Sequence, residues 1–139
     1  GKVLLVVNVA SECGFTRQYA PLEKIHREHA EEGLVVLGFP SNDFGGQEPG
    51  TNEQIREFCQ SKFDVTFPLF DKIRVKGEEK HPLYTALTGA KSPFPGEVKW
   101  NFGKFLISRD GRIVQRFESR DEPDSEQVLG AIRKELAAK

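Results

Sequence analysis

Residues 2–39, KVLLVVNVASECGFTRQYAPLEKIHREHAEEGLVVLGF, decide the fold. The opening KVLLVVNV is a nearly unbroken run of leucine and β-branched residues, the pattern of a strand buried on both faces. Tyr19, Leu22, Ile25, His26 and His29 recur at helical spacing. That spacing predicts a helix over 17–32, with Gly33 as a suitable C-terminal stop. LVVLGF, 34–39, then reads as a second buried strand. Strand, helix and strand in so short a span form a βαβ unit, which favours a parallel pair and a right-handed crossover.

The remainder extends this unit. PSNDFGGQEPGT, 40–51, is a loop built of turn residues, and Thr51 with Gln54 makes a capping box for a helix that carries Ile55, Phe58 and Cys59 on one face. VTFPLF, 65–70, is extended, but Pro68 demotes it to an edge or irregular piece. HPLYTALTG, 81–89, reads as a short helix with proline early and glycine last. Phe105–Ile107 and Ile113–Phe117 flank Asp110-Gly111, a favoured two-residue hairpin turn. Val128, Leu129, Ile132 and Leu136 share one face of a terminal helix over 124–137. The order predicts an α/β protein with a central mixed sheet flanked by helices, the thioredoxin-like arrangement, as one domain over residues 1–139. Methionine is absent, so a native N-terminal segment is expected ahead of Gly1.

Composition narrows the function. Twenty basic and 21 acidic residues leave a net charge of −1, which gives no field for drawing the chain to nucleic acid or an anionic membrane. No apolar run approaches the ~20 residues a membrane-spanning helix needs. Two cysteines are too few for a disulfide scaffold, and His26, His29 and His81 do not stand at ligand spacing from either, so neither metal nor cofactor is expected.

Cys13 carries the candidate chemistry. It lies in the loop after the first strand, at the carboxyl edge of the sheet, where sites gather in open α/β folds. A helix follows at once, and the partial positive charge of its N-terminus favours a thiolate. A buried structural cysteine is the plain alternative, and the small polar neighbours argue against it. No second cysteine forms a Cys-x-x-Cys pair. Gln47, in FGGQEPG, and the sole tryptophan, Trp100, followed by Asn101, are separately ordinary as a solvated loop residue and a core aromatic. Together, an indole N–H, an amide NH₂ and a backbone amide converging on one sulfur would stabilise a thiolate without a titrating base.

GKVLLVVNVASECGFT, LGFPSNDFGGQEPGTNEQI and KWNFGKFLI closely resemble, in order and spacing, the glutathione peroxidase family in its cysteine-containing form. The resemblance spans nearly the whole chain. It implies reduction of hydrogen peroxide and organic hydroperoxides, with a catalytic tetrad at Cys13, Gln47, Trp100 and Asn101. It also implies a resolving role for Cys59, since thioredoxin-dependent members carry a cysteine in a segment like EFCQSKF. Residue periodicity alone reads Cys59 as helical core beside Ile55 and Phe58. If the sulfurs lie apart in the reduced fold, the helix must unwind locally, because a disulfide needs Cα atoms within ~7 Å. Ser41 stands where the family commonly has cysteine, and Asp43 where it has glutamine. The short stretch between HPLY and KWNF resembles monomeric members.

The resulting expectation is a thiol peroxidase. Cys13 would attack the peroxide and become a sulfenic acid, Cys59 would condense with it, and a thioredoxin-type reductant, or glutathione, would reopen the disulfide. A cytoplasmic location is expected. The alternative is a peroxide-sensing relay that passes oxidation to a partner protein. Arg17, Lys99 and Lys104 are candidates for the rim of the site.

Overall fold

The computed structural model describes residues 1–138. The first strand, β1 (Val3–Val9), is the hinge of the architecture because both its faces are apolar. It pairs in parallel with β2 (Leu34–Pro40), from Val3↔Leu34 to Val9↔Pro40. On its other side it pairs antiparallel with β3 (Lys104–Ile107), from Leu4↔Ile107 to Val7↔Lys104. β4 (Ile113–Phe117) closes the mixed sheet in the order β2-β1-β3-β4.

Strand alternation sorts the core into two layers. Val3, Leu5, Val7 and Val9 face a cluster with Tyr19, Leu22 and Ile25 of α1 (Tyr19–His29), Ile55 and Cys59 of α2 (Asn52–Phe63), and Val128 and Ile132 of α4 (Glu126–Ala137). Val6 faces the opposite cluster with Phe39, Phe105, and Tyr84 and Leu87 of α3 (Pro82–Thr88). Helices therefore cover both faces, as the thioredoxin-like reading expects.

The helix read over 17–32 is shorter at both ends. A single 3₁₀ turn, Thr16–Gln18, leads into α1, and the chain leaves the helix after His29. Gly33 stands three residues beyond the C-cap residue, at φ +108°, with the Arg109 guanidinium against its Cα. The capping box of α2 is present: Gln54 N–H donates to Thr51 Oγ1 at 3.1 Å and Thr51 N–H to Gln54 Oε1 at 2.9 Å. The 65–70 segment lies beside β2 through one isolated bridge, Gly38↔Leu69. The hairpin loop has three residues, not two. Ser108 N–H bonds Arg112 O at 2.8 Å, Gly111 N–H returns to Ser108 O at 3.0 Å, and Gly111 takes φ +88°. This is a type I turn closed by a left-handed glycine, which Asp-Gly serves as well as it serves the shorter turn.

Candidate active site

Three segments meet at the carboxyl edge of β1. The first is the loop that carries Cys13. Thr16 organises it: its Oγ1 accepts from Cys13 N–H at 2.9 Å and donates to Ala10 O at 2.7 Å, while Thr16 N–H bonds Cys13 O at 3.0 Å. The loop turns back on the sulfur, so that Phe15 N–H donates to Cys13 Sγ at 3.3 Å. A backbone dipole fixed on Sγ favours negative charge there. Cys13 is 9% exposed, more enclosed than its polar neighbours suggest, while Glu12 beside it is exposed.

The second segment is the glutamine loop. Gly45 and Gly46 take φ +64° and +60°, which bends the chain so that Gln47 O accepts from Glu12 N–H at 3.0 Å. A Cβ on Gly45 would stand 3.1 Å from the Trp100 ring, so glycine there also makes room for the indole. Asp43 anchors the base of the loop. It accepts from Ser41 Oγ at 3.0 Å, from Val75 N–H at 2.6 Å and from Arg74. Burial alone would raise this carboxyl, but those bonds outweigh it and hold it below the ordinary aspartate range. Ser41 and Asp43 thus act as one structural unit.

The third segment, 100–103, is pinned by Asn8 of β1. Asn8 Nδ2 donates to Trp100 O at 3.0 Å, Phe102 N–H to Asn8 O at 2.6 Å, and Asn8 N–H to Gly103 O at 3.4 Å. Phe102 is held in the left-handed region at φ +64°, its ring wholly buried and edge-on to Tyr19 at 5.5 Å. That backbone turn delivers the fully buried Asn101 to the glutamine loop, where Asn101 Nδ2 donates to Gln47 Oε1 at 3.0 Å. With Oε1 so engaged, Gln47 keeps its NH₂ as a donor.

The four expected residues therefore come to one edge of the sheet, in a particular way. Gln47 and Asn101 bond each other, and Trp100 packs beside the glutamine loop, its ring 5.8 Å from Phe44. Among the described residues, the hydrogen bond that reaches Cys13 Sγ comes from Phe15 N–H rather than from the indole or either carboxamide. Lys104 does not stand at the rim. It is fully buried in β3, and its Nζ donates to Phe102 O at 2.7 Å. Burial lowers its pKa to about 8, with Asp121 and Glu122 opposing. Arg17 pairs with Glu122 at the surface. Lys99 and Arg120 flank a shallow recess of about 460 Å³ walled by Phe15 and Trp100.

Cys59 is a free thiol in α2 with no exposure, in the same apolar cluster as Cys13. Burial pushes its pKa up; the Tyr19 hydroxyl against it opposes and the charge of Glu48 adds, leaving it at about 11. Among the described residues no group of three or more His, Cys, Asp or Glu side chains could hold a metal ion, and no helix is long and apolar enough to cross a membrane.

Sequence reasoning missed Phe15 N–H, Thr16, Asn8 and Glu48. Thr16 had a signal, a threonine three residues after the cysteine, placed to bond back to its backbone.

The glutathione peroxidase family model matches residues 1–88. The chain is 51% identical over 125 residues to a glutathione peroxidase of Lactococcus lactis, covering 89% of this chain and 80% of that protein. It is 49% identical over 143 residues to a hydroperoxy fatty acid reductase of Synechocystis, covering 98% and 83%. The crystal structure of T. cruzi GPX1 superimposes with a TM-score of 0.74 at 32% identity, over 98% of this chain and 82% of that one.

Proposed function

The chain belongs to the glutathione peroxidase family, and on that premise we propose that Cys13 is the peroxidatic residue of a thiol peroxidase whose resolving partner is Cys59. The enzyme is a peroxidase, an oxidoreductase that reduces hydroperoxides. Cys13 thiolate attacks one peroxide oxygen, the O–O bond breaks, and the other oxygen leaves as water or an alcohol after taking a proton. Cys13 is left as a sulfenic acid. The Phe15 N–H bond holds Sγ in place for the attack. Gln47, Asn101 and Trp100 are the donors that receive the peroxide oxygens beside it.

The observation that carries this reading is the 3.0 Å bond between Asn101 and Gln47, 54 residues apart, on a loop tied by backbone to Glu12, next to Cys13. Two carboxamides brought together in this way leave one NH₂ directed by the other. Fatty acid hydroperoxides fit the substrate class, as the name of the Synechocystis relative states for that protein. The Phe15–Trp100 recess offers an apolar wall, and Lys99 and Arg120, set against Glu118 alone, offer net positive charge for a carboxylate.

Cys59 then condenses with the sulfenic acid, releasing water, and a thioredoxin-type reductant opens the disulfide by thiol exchange. A cycle that returns to two thiols belongs in reducing surroundings such as the cytoplasm. The short link before Lys99 supports a monomer. Steady-state hydroperoxide reduction, driven by thioredoxin or by glutathione at equal reducing equivalents, tests the scheme. Cys13→Ser abolishes turnover with both. Cys59→Ser consumes one equivalent of peroxide and then stops with thioredoxin. Retained turnover in Cys13→Ser, or undiminished thioredoxin cycling in Cys59→Ser, would overturn the assignment. A wild type that oxidises in one turnover but cycles with neither reductant would be a relay rather than a catalyst.

A further inference from the structure

The cycle above leaves Glu48 without a task, although it is 1% exposed and borders both cysteine-bearing segments. Its backbone N–H is held by Asn42 Oδ1 at 2.9 Å, and its Oε1 accepts from Ser11 N–H at 3.2 Å, two residues before Cys13. Its Oε2 is buried with no partner among the described residues. A buried, unpaired carboxylate oxygen is costly unless it serves something.

That side chain lines a cavity of about 360 Å³. Ser11 and Glu12 form one wall, and Gln54, Ile55 and Phe58 of α2 form the other. Cys59 follows Ile55 by one helical turn, on the same face of α2. The cavity thus lies between the Cys13 loop and the face that carries Cys59, where a thiol released from α2 would travel. Glu48 is close enough to the Tyr19 phenol and the Cys59 thiol for its charge to raise both.

We propose that Glu48 is the general base of the resolving step, taking the proton from Cys59 as that thiol enters the cavity. This inference rests on the resolving role of Cys59 set out above. The Glu48 carboxylate accepts the thiol proton, and the Cys59 thiolate attacks Cys13 Sγ. The S–O bond of the sulfenic acid breaks as the S–S bond forms. The departing hydroxide takes the proton back from Glu48 and leaves as water. Glu48 ends as it began, and no outside oxidant or reductant is needed.

The energetics favour a base in contact. Sealed in α2 the Cys59 thiol stands at about 11, and even when released to ordinary surroundings, at ~8.5, it is only a few per cent thiolate at pH 7. Solvent deprotonation would therefore make the step rise tenfold with each pH unit. Glu48 itself sits above the ordinary glutamate range: burial raises it, the Ser11 bonds and the charge of Lys72 lower it, and Glu12 raises it again. The groups that face it are therefore Ser11 and Glu12 from the Cys13 loop, Lys72, and Tyr19 and Cys59 from α1 and α2.

The test is quenched-flow alkylation after one equivalent of hydrogen peroxide, counting free thiols by mass across a pH series. In the wild type the disulfide-forming phase falls on an acid limb as Glu48 takes up a proton and is flat above it. Glu48→Gln, of equal size, slows that phase about a hundredfold at pH 7, the lower end of what a positioned base contributes. Its rate then climbs tenfold per pH unit. Glu48→Asp keeps the acid limb at a reduced rate. A wild-type rate and profile in Glu48→Gln would overturn the proposal. If that variant fails to fold, the wild type alone decides: a tenfold climb per pH unit through neutrality would overturn it equally. Cycling lost in Cys59→Ser beside a wild-type profile in Glu48→Gln would remove only the role of Glu48. Cycling that survives in Cys59→Ser would remove the cysteine reading itself.

Discussion

If Cys59 must leave a sealed position to reach Cys13, weakening α2 accelerates the resolving step, and Thr51→Ala is the mildest way to do so. Thr51 is exposed and caps α2 through the reciprocal bonds with Gln54. The helix has 12 residues, a length at which an isolated helix is marginal in water, so it opens largely as a unit. Losing a threonine cap costs about 1 kcal/mol of helix stability. Since about 1.4 kcal/mol is tenfold, the open population rises about fivefold. The disulfide-forming phase, read by rapid quench and thiol alkylation after one equivalent of peroxide, should speed up by the same factor. The preceding peroxide-consuming phase should keep its rate, because the Cys13 loop draws its hydrogen bonds from Thr16, Ala10 and Phe15 rather than from α2. Amide exchange in α2 supplies the control. An unchanged or slower disulfide phase in a variant whose α2 amides exchange about fivefold faster would refute gating by helix opening.

Other outcomes follow from buried groups. Lys104→Met should reveal a pH-dependent difference in stability. Below about pH 8 folded and unfolded chains both hold the ammonium, and the folded state bears the full cost of burying it; between about 8 and 10.5 the unfolded chain binds more protons, so wild type gains on the variant as pH rises. The gain is on the order of 3 kcal/mol across that window, and urea midpoints that run parallel from pH 7 to 10.5 would contradict it. Trp100→Phe keeps an aromatic ring and deletes the indole N–H. The peroxide-consuming phase should fall about a hundredfold if that donor meets the leaving oxygen, and an unaltered rate would leave the indole as packing alone. Tyr84→Phe removes a hydroxyl that is buried without a partner among the described residues, so stability should rise by about 1 kcal/mol; a loss of that size in urea unfolding would show the hydroxyl to be bonded.

Most of the fold was legible because its signals are local. β1 and β2 announce themselves as two-faced apolar runs, and Thr51 with Gln54 writes the start of α2 as two side chains three apart. The errors fall where two solutions share one signal. Asp110-Gly111 fits a two-residue turn and a three-residue loop equally, and only the Ser108–Arg112 pairing chooses. Lys104 reads as surface because lysine ordinarily is, while the backbone carbonyls that receive it, from Phe102, Glu118 and Ser119, leave no mark in the sequence. The same holds for the site. Gln47 and Asn101 could be nominated from motifs, but Phe15 N–H is a backbone group that every residue but proline has. Its aim at Cys13 Sγ follows from the Thr16 bonds, which exist only once the loop has closed.

The complete burial of Cys59 has a consequence at high oxidant concentration. On the proposed cycle, two fates compete for a Cys13 sulfenic acid: capture by the hidden thiol, at a speed set by how often the helix yields, or collision with a second peroxide, which drives the sulfur on to an irreversible sulfinic acid. The first is independent of oxidant and the second grows with it. If Cys59 resolves Cys13, the seal over one cysteine sets a ceiling on the flux the other survives, and above that ceiling the enzyme retires itself in proportion to the load.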